Sequence, residues 1–145
     1  MPFTPDATYY KPVTTNASSF TAGIVGQDFE IGRFAYIDPD DGTFKRASST
    51  NAAHRPIVGI SAGSALTGQV CVFQTSGIVQ FFDPAIALGA GFQATGRPIY
   101  LDSGGQIQGE VELVANTDYV VLVGFSANRY QFEMNIVDSE ILYGP

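Results

Sequence analysis

The sequence predicts an all-β fold: a compact β-sandwich or small β-barrel built from two similar halves, with extended N- and C-terminal arms. Short runs rich in Val, Ile, Phe and Tyr alternate with turn residues, the chain holds 16 glycines and 8 prolines, and one pattern of residues occurs twice. Apolar runs bounded by Gly, Pro, Asn and Asp are typical of strands and turns. No segment predicts a helix longer than a single turn.

The strands are predicted from these bounded apolar runs, and the turns from the residues between them. The Pro and Gly of 38–42 and the glycines of 103–105 favour turns after the strands that they follow. The segment 75–77 predicts a tight hairpin, and 126–129 predicts the last turn. The expected strands are 32–37, 56–61, 68–74, 77–82, 97–101, 119–127 and 130–136, with 22–25 as a further candidate.

An internal repeat organises the chain. Two blocks recur in the same order, and the spacing between copies differs by only one residue. A curled sheet with one apolar face cannot bury that face alone, so we expect two three-strand units packed face to face around a common core. The matching blocks are 32–38 with 96–102 and 57–62 with 122–127, with weaker matches of Gly26 to Gly89, Phe29 to Phe92, and 69–72 to 131–134.

The two ends of the chain differ from its middle. We expect an N-terminal arm at 1–20, a β-domain at 21–136 with pseudo-repeats at about 21–80 and 84–136, and a C-terminal tail at 137–145. The arms carry apolar side chains that either cover this protein's own sheet or contact another protein. The candidate contact residues are Phe3, Tyr9, Tyr10, Ile141, Leu142 and Tyr143.

Composition limits the partners. The formal net charge is −7 at pH 7, and nucleic-acid binding requires clustered positive charge, so no nucleic acid is expected. No apolar run approaches the length of about 20 residues that spans a membrane. The N-terminus lacks a basic segment followed by an apolar one, so no signal peptide is expected.

Few residues suggest chemistry. Cys71 lies in an apolar run and is expected to be a buried, inert thiol, and His54 lies in a polar loop, where a solvated histidine is expected. Asp38, Asp40 and Asp41 would suit calcium, but the closing bidentate Glu is missing, so a turn without metal is favoured. No nucleophile motif is present. We therefore expect no enzyme activity, no catalytic residue, no cofactor and no metal.

Several short motifs follow one another in a characteristic order over about residues 17–136. They are a glycine-rich apolar edge at 20–26, a glycine–strand–Asp–turn block at 32–42, Ile-Val-Gly-Ile at 57–60, Gly-Gln-Val-Cys-Val at 68–72, a strand opening with Gly77, and a second block at 96–100. Each motif is built from glycines and aliphatic residues, and the order is more specific than any one of them. In this order of motifs the chain resembles the capsid decoration (cement) proteins of bacteriophage heads.

This resemblance implies a structural virion protein. Such a protein is made in the host cytoplasm and binds the outer surface of the phage head, with the major capsid protein as its partner. It acts as a homotrimer that stabilises contacts between capsomers, and the six terminal residues named above become candidate capsid or inter-subunit contacts. The alternative is a receptor- or glycan-binding head-fibre or tail-associated module, although the chain lacks the tryptophan that favours glycan stacking.

Overall fold

The fold of the described residues is all-β, as predicted. The computed structural model describes residues 10–12, 19–51, 53–54, 56–81, 98–105, 107–108, 113, 115, 118–128 and 131–143, and no helix occurs among them. Ten strands lie in this part of the chain. They are β1 (Tyr10–Pro12), β2 (Ser19–Ile24), β3 (Phe34–Ile37), β4 (Phe44–Arg46), β5 (Ile57–Ser61), β6 (Val70–Phe81), β7 (Pro98–Leu101), β8 (Ile107–Gln108), β9 (Tyr119–Asn128) and β10 (Gln131–Leu142).

The order of the strands in the sheet is mirrored between the two halves of the chain. The antiparallel sheet runs β4-β3-β5-β6-β10-β9-β7-β8, so each half contributes the same four strands in mirrored order. The halves meet where β6 pairs with β10, with Phe132 opposite Val79 and Met134 opposite Gly77. Both halves also have a register irregularity at the same point, between Ala35 and Tyr36 in β3 and between Ile99 and Tyr100 in β7. This arrangement is what a duplicated unit would produce.

The central strand β6 is continuous, so the predicted hairpin at 75–77 is wrong. Gly77 has a φ of 97°, which bends the strand without reversing it. The Gln74 side chain donates through Nε2 to the carbonyls of Ser76 at 3.1 Å and Ile78 at 3.0 Å, which satisfies backbone groups across this irregular stretch. Partners on both sides hold the strand, because β2 pairs with 70–76 while β10 pairs with 77–80.

The first half closes into a small barrel. Strand β2 pairs with β6, and beyond its end Val25 makes a parallel bridge to Phe44 of β4. The N–H of Gly26 donates to the carbonyl of Phe44 at 2.9 Å. A side chain on Gly23 would overlap the Phe44 ring, so glycine is what lets β2 approach β4. The barrel interior contains Val25, Phe29, Ala35, Phe44, Ala65, Cys71 and Phe73.

A second and larger core joins the two halves. It is the expected common core, but the two halves contribute different faces to it, and the barrel has a core of its own. The face of β3 and β5 that points away from the barrel packs against the second half. The equivalent face of the second half is more exposed among the described residues: Ile60 is 1% exposed, whereas Phe125, its counterpart in the repeat, is 37% exposed. The shared core contains Phe34, Tyr36, Ala47, Ile57, Ile60, Val79, Ile99, Leu101, Ile107, Val121, Val123, Phe132 and Met134.

The last strand of each half corrects the proposed repeat alignment. Ile60 pairs with Gln74 in the first half, and its counterpart Phe125 pairs with Glu133 in the second. The sequence alignment of 69–72 with 131–134 is therefore wrong, and Gln74 takes the place of Glu133. The number of residues between the paired strands differs in the two halves, which a comparison of short blocks does not detect.

The strands extend further towards both ends than the sequence analysis proposed. Tyr10 pairs with Phe81 through β1, inside the predicted N-terminal arm. Strand β10 continues to Leu142, so 137–142 belong to the sheet and not to a tail beyond it. The remaining arm residues, 1–9 and 13–18, and the segment 82–97 with Gly89 and Phe92, lie outside the described residues.

A substitution at Gly59 would test how closely strands β5 and β6 of the barrel pack together. A Cβ at Gly59 would overlap the backbone carbonyl of Gln74 in the paired strand. We expect Gly59→Ala to lower the free energy of unfolding by about 1–3 kcal/mol, because backbone must shift to make room. Urea denaturation measures the change. Gly63→Ala is the matched control, since its Cβ would meet nothing within 4 Å. Equal stability of the two variants would contradict the proposed contact.

Candidate functional site

An uncharged apolar strip on the outside of the barrel is the most prominent surface of the described residues. We call Phe20, Ala22, Ile24, Val70 and Val72 the outer strip. Ala22 lies opposite Val72 and Ile24 lies opposite Val70 in the β2–β6 ladder. Their exposed fractions are high for apolar side chains, at 53% for Ile24 and 64% for Val70. Contiguous exposed apolar surface of this kind marks interaction sites.

Strand alternation explains why these side chains face outward. In β2 and β6 successive residues point to opposite faces, so Gly23, Cys71 and Phe73 face the barrel interior. The strip therefore cannot turn inward, because the interior is already filled. Leu66, which is 62% exposed, lies in the turn that precedes Val70, where the Gln69 N–H donates to the Leu66 carbonyl at 2.9 Å.

The terminal residues predicted as contacts lie at two separate places. Tyr10 is opposite Phe81, near the start of β10, where Gln131 pairs with Gln80. Ile141 and Leu142 lie at the other end of β10, with Leu142 opposite Tyr119. Tyr143 is half-buried, and its N–H donates to the Asp118 carbonyl at 2.8 Å. The structure does not bring the two groups together, and Phe3 and Tyr9 lie outside the described residues.

The acidic turn after β3 is occupied by a lysine. Lys45 Nζ lies 2.6 Å from Asp38 Oδ2 and 3.2 Å from Asp41 Oδ2. The pKa of Asp38 is lowered chiefly by the Lys45 hydrogen bond. Thr43 donates to Asp41 through its hydroxyl and its N–H, and these bonds, more than Lys45, lower the pKa of Asp41 to about 2. An internal ammonium group thus takes the place at which a cation would bind these carboxylates.

His54, which the sequence analysis expected to be a solvated loop histidine, is half-buried. Its ring stacks on Tyr36 with 4.3 Å between centroids and 13° between planes. Asn51 Nδ2 lies 3.0 Å from His54 Nε2. The stacked ring covers one side of Tyr36, which belongs to the shared core, so packing accounts for the position of this histidine.

Cys71 is buried, as predicted. It lies inside the barrel at 3% exposure, and its Sγ donates to the Gly63 carbonyl at 3.4 Å. Burial raises the pKa of this thiol, which disfavours the reactive thiolate. Its position and protonation are those of a structural residue.

A buried polar contact between the halves escaped the sequence analysis. Ser49 Oγ donates to Asp118 Oδ1 at 2.5 Å, and both side chains are buried. The Ser49 N–H donates to the Asp102 carbonyl at 3.0 Å, and the Ser49 carbonyl accepts from the Tyr119 N–H at 2.7 Å. The loop after β4 is therefore bonded to the second half by side chain and backbone. The sequence analysis could not detect this pair, because the two residues are 69 positions apart in the chain and no local motif contains both.

The described residues also bear on metal and membrane binding. No group of three or more His, Cys, Asp or Glu side chains lies close enough together, among these residues, to hold a metal ion. No helix in this part of the chain is long and apolar enough to cross a membrane.

No protein-family model and no curated protein matches this chain.

The two carboxylates of the acidic turn are expected to respond differently to removal of Lys45. In Lys45→Met the pKa of Asp38 should rise towards 3.8, whereas that of Asp41 should stay low because Thr43 still donates to it. Because both native pKa values are depressed, the stabilisation is present above pH 3.8 and is lost as the pH falls towards about 2. Carboxyl ¹³C shifts followed by NMR during an acid titration measure both values.

Thr43→Val supplies the matched control for this titration. It removes the hydroxyl that donates to Asp41 at 2.7 Å, so the pKa of Asp41 should rise and that of Asp38 should change little. If Lys45→Met left the pKa of Asp38 unchanged, the ion pair would not form in solution.

Proposed function

We propose that this chain is a decoration, or cement, protein of a bacteriophage head: a non-enzymatic structural virion protein that binds the outer surface of the capsid. The partner is the major capsid protein, and the protein holds neighbouring capsomers together as a homotrimer. It is made in the host cytoplasm and ends on the virion surface.

The outer strip is the observation that carries this proposal. Strand β2 and the part of β6 that pairs with it contain no charged residue, although the whole chain has 14 acidic and 7 basic residues. An uncharged apolar surface can be buried against another protein without the cost of desolvating a charge. We place the capsid contact on this strip, and the terminal residues Tyr10, Ile141, Leu142 and Tyr143, with Phe3 and Tyr9, remain predicted contacts.

The structure behind the strip suits a surface that binds without changing shape. The side chains that alternate with the strip fill a closed barrel, and Gly23 brings β2 close to Phe44 of β4. A surface already held in its bound shape loses little conformational entropy when it binds. This supports a binding role in which the protein does not need to fold on its partner.

A trimeric arrangement would make modest contacts effective. Three copies of the strip bound to one shell act together, so dissociation requires all three to release. A closed ring also uses one interface throughout and leaves no end for further growth. The net charge of −7 keeps such a surface protein soluble and away from the nucleic acid packaged inside.

Binding to capsid shells tests the proposal directly. The protein should bind saturably to mature shells of the phage that encodes it, measured by co-sedimentation. The double variant Ile24→Asp with Val72→Asp should weaken this binding by at least about tenfold, because two charges would have to be desolvated in the interface. Unchanged binding of the double variant would remove the strip from the interface.

Asn135→Asp is the control for this experiment. It adds one negative charge at an exposed position of β10, which does not pair with β2. Shell binding should be preserved in this variant. Binding to a glycan array in the absence of any shell binding would instead support the receptor- or glycan-binding alternative.

The oligomeric state is a separate prediction. Multi-angle light scattering of the purified chain should give about three times its mass of 15.4 kDa. The mass should remain constant over a wide range of concentration, because a closed trimer does not grow. A monomeric mass at every concentration would contradict the trimer.

A further inference from the structure

A polar cleft lies between the two halves, and none of its described lining residues belongs to the outer strip. It has a volume of about 270 Å³ and is open to solvent. Gln27, Arg46, Ser48 and His54 line it from the first half, and Ser103 and Gly104 line it from the second. Among the described residues that line it, Arg46 is the only one with a permanent charge, and none is a carboxylate.

The walls of the cleft are held by bonds between the halves. Arg33 Nη1 donates to the Gly104 carbonyl at 2.9 Å, while its Nη2 pairs with Glu30 at the same distance. The Gly104 N–H donates to Asp102 Oδ1 at 2.8 Å. Next to the cleft, the Ser49 N–H donates to the Asp102 carbonyl at 3.0 Å. The cleft is therefore formed before any ligand binds.

Arg46 differs from the other cations whose side chains are described. Arg33 pairs with Glu30, and Lys45 pairs with Asp38 and Asp41. Among the described residues, no carboxylate lies within salt-bridge distance of the Arg46 guanidinium. Asp28 is near enough to feel its charge, but the lowered pKa of Asp28 is due first to hydrogen bonds from Thr67, and Arg46 is the smallest of its causes.

Gln27 adds a second donor to the cleft. Its Oε1 accepts from the backbone N–H of Arg46 at 2.8 Å, which fixes the amide beside the arginine. Because that oxygen is used, the Nε2 group is the part of the side chain that remains to donate. Ser103 contributes a hydroxyl from the opposite wall. The guanidinium of Arg46 can donate two parallel hydrogen bonds, and the neutral donors of Gln27 and Ser103 lie around it. This set of donors matches the two oxygens of a carboxylate.

We propose that this cleft binds a carboxylate, held by the Arg46 guanidinium with Gln27 and Ser103 as further donors. The carboxylate belongs either to a small organic acid or to an acidic side chain of a bound protein, and the chemistry of recognition is the same for both. The site is independent of the proposed capsid contact, because it shares no residue with the outer strip.

Acetate is the probe for the binding test. The ¹⁵N-labelled full chain is titrated with sodium acetate, against sodium chloride at equal ionic strength. The amide signals of Ala47, Ser48, Ser103 and Gly104 should shift saturably with acetate alone. A dissociation constant on the order of millimolar is expected for so small a ligand. Absence of a saturable shift would overturn the proposal.

Two variants locate the site. Arg46→Gln should weaken acetate binding at least about tenfold, and it keeps the backbone N–H that donates to Gln27. Gln27→Glu keeps an acceptor for that N–H but places a carboxylate beside Arg46, so it should abolish binding. Lys11→Gln is the control for charge, since Lys11 lies in β1, which pairs with β6, and no described lining residue of the cleft belongs to either strand. Wild-type affinity in Arg46→Gln would overturn the proposal, and unchanged urea midpoints show that each variant is folded.

A pair of peptides separates the two sources of the carboxylate. Both are blocked at their termini and differ only in a central Glu or Gln. Tighter binding of the Glu peptide than of acetate supports a protein side chain as the ligand. Binding of acetate but not of the Glu peptide supports a small organic acid.

Discussion

The pairing of β6 is the constraint on which the rest of the structure depends. This strand runs from Val70 to Phe81 and contacts β2, β5, β10 and β1. Its first part builds the barrel, and its second part joins the halves. The bend at Gly77, with its φ of 97°, lets one strand serve both purposes. The part of β6 that pairs with β10 therefore follows directly on the part that pairs with β2.

The two halves share a strand order but not a burial pattern. In the first half, small Ala35 faces the barrel interior, while Phe34 and Tyr36 face the shared core. In the second half, the counterpart of Ala35 is Ile99, which lies in the shared core itself. The first half therefore packs the face of its sheet that points away from the barrel against the face of the second half that contains Ile99. The exposed position of Phe125, whose counterpart Ile60 is buried, is a product of this asymmetry.

Local patterns predicted much of the fold but little of its surface. Alternating apolar runs located β3, β5, β7 and β9 within a few residues, because they are bounded by turn residues. The hairpin at 75–77 failed because Thr, Ser and Gly favour a turn only when no strand pairs on both sides. Strands β4 and β8 were missed because they are only 3 and 2 residues long.

The candidate sites depend on contacts that sequence spacing does not record. Lys45 was not linked to the aspartates, since only the β3–β4 pairing places it across the turn from Asp38. The alternation of Phe20, Ala22 and Ile24 could have indicated an outward apolar face, but which face was filled became clear only when the barrel closed. The cleft at Arg46 requires residues from both halves, which no local motif unites.

The β6–β10 ladder also determines how the molecule bears load. Its hydrogen bonds lie perpendicular to the strands and join the halves along a register from Gly77 to Gln80. A force that slides one half past the other along the strands stretches all of these bonds together. A force that opens the ladder from one end breaks them one after another. The junction is therefore mechanically anisotropic, stiff to shear and weak to peeling.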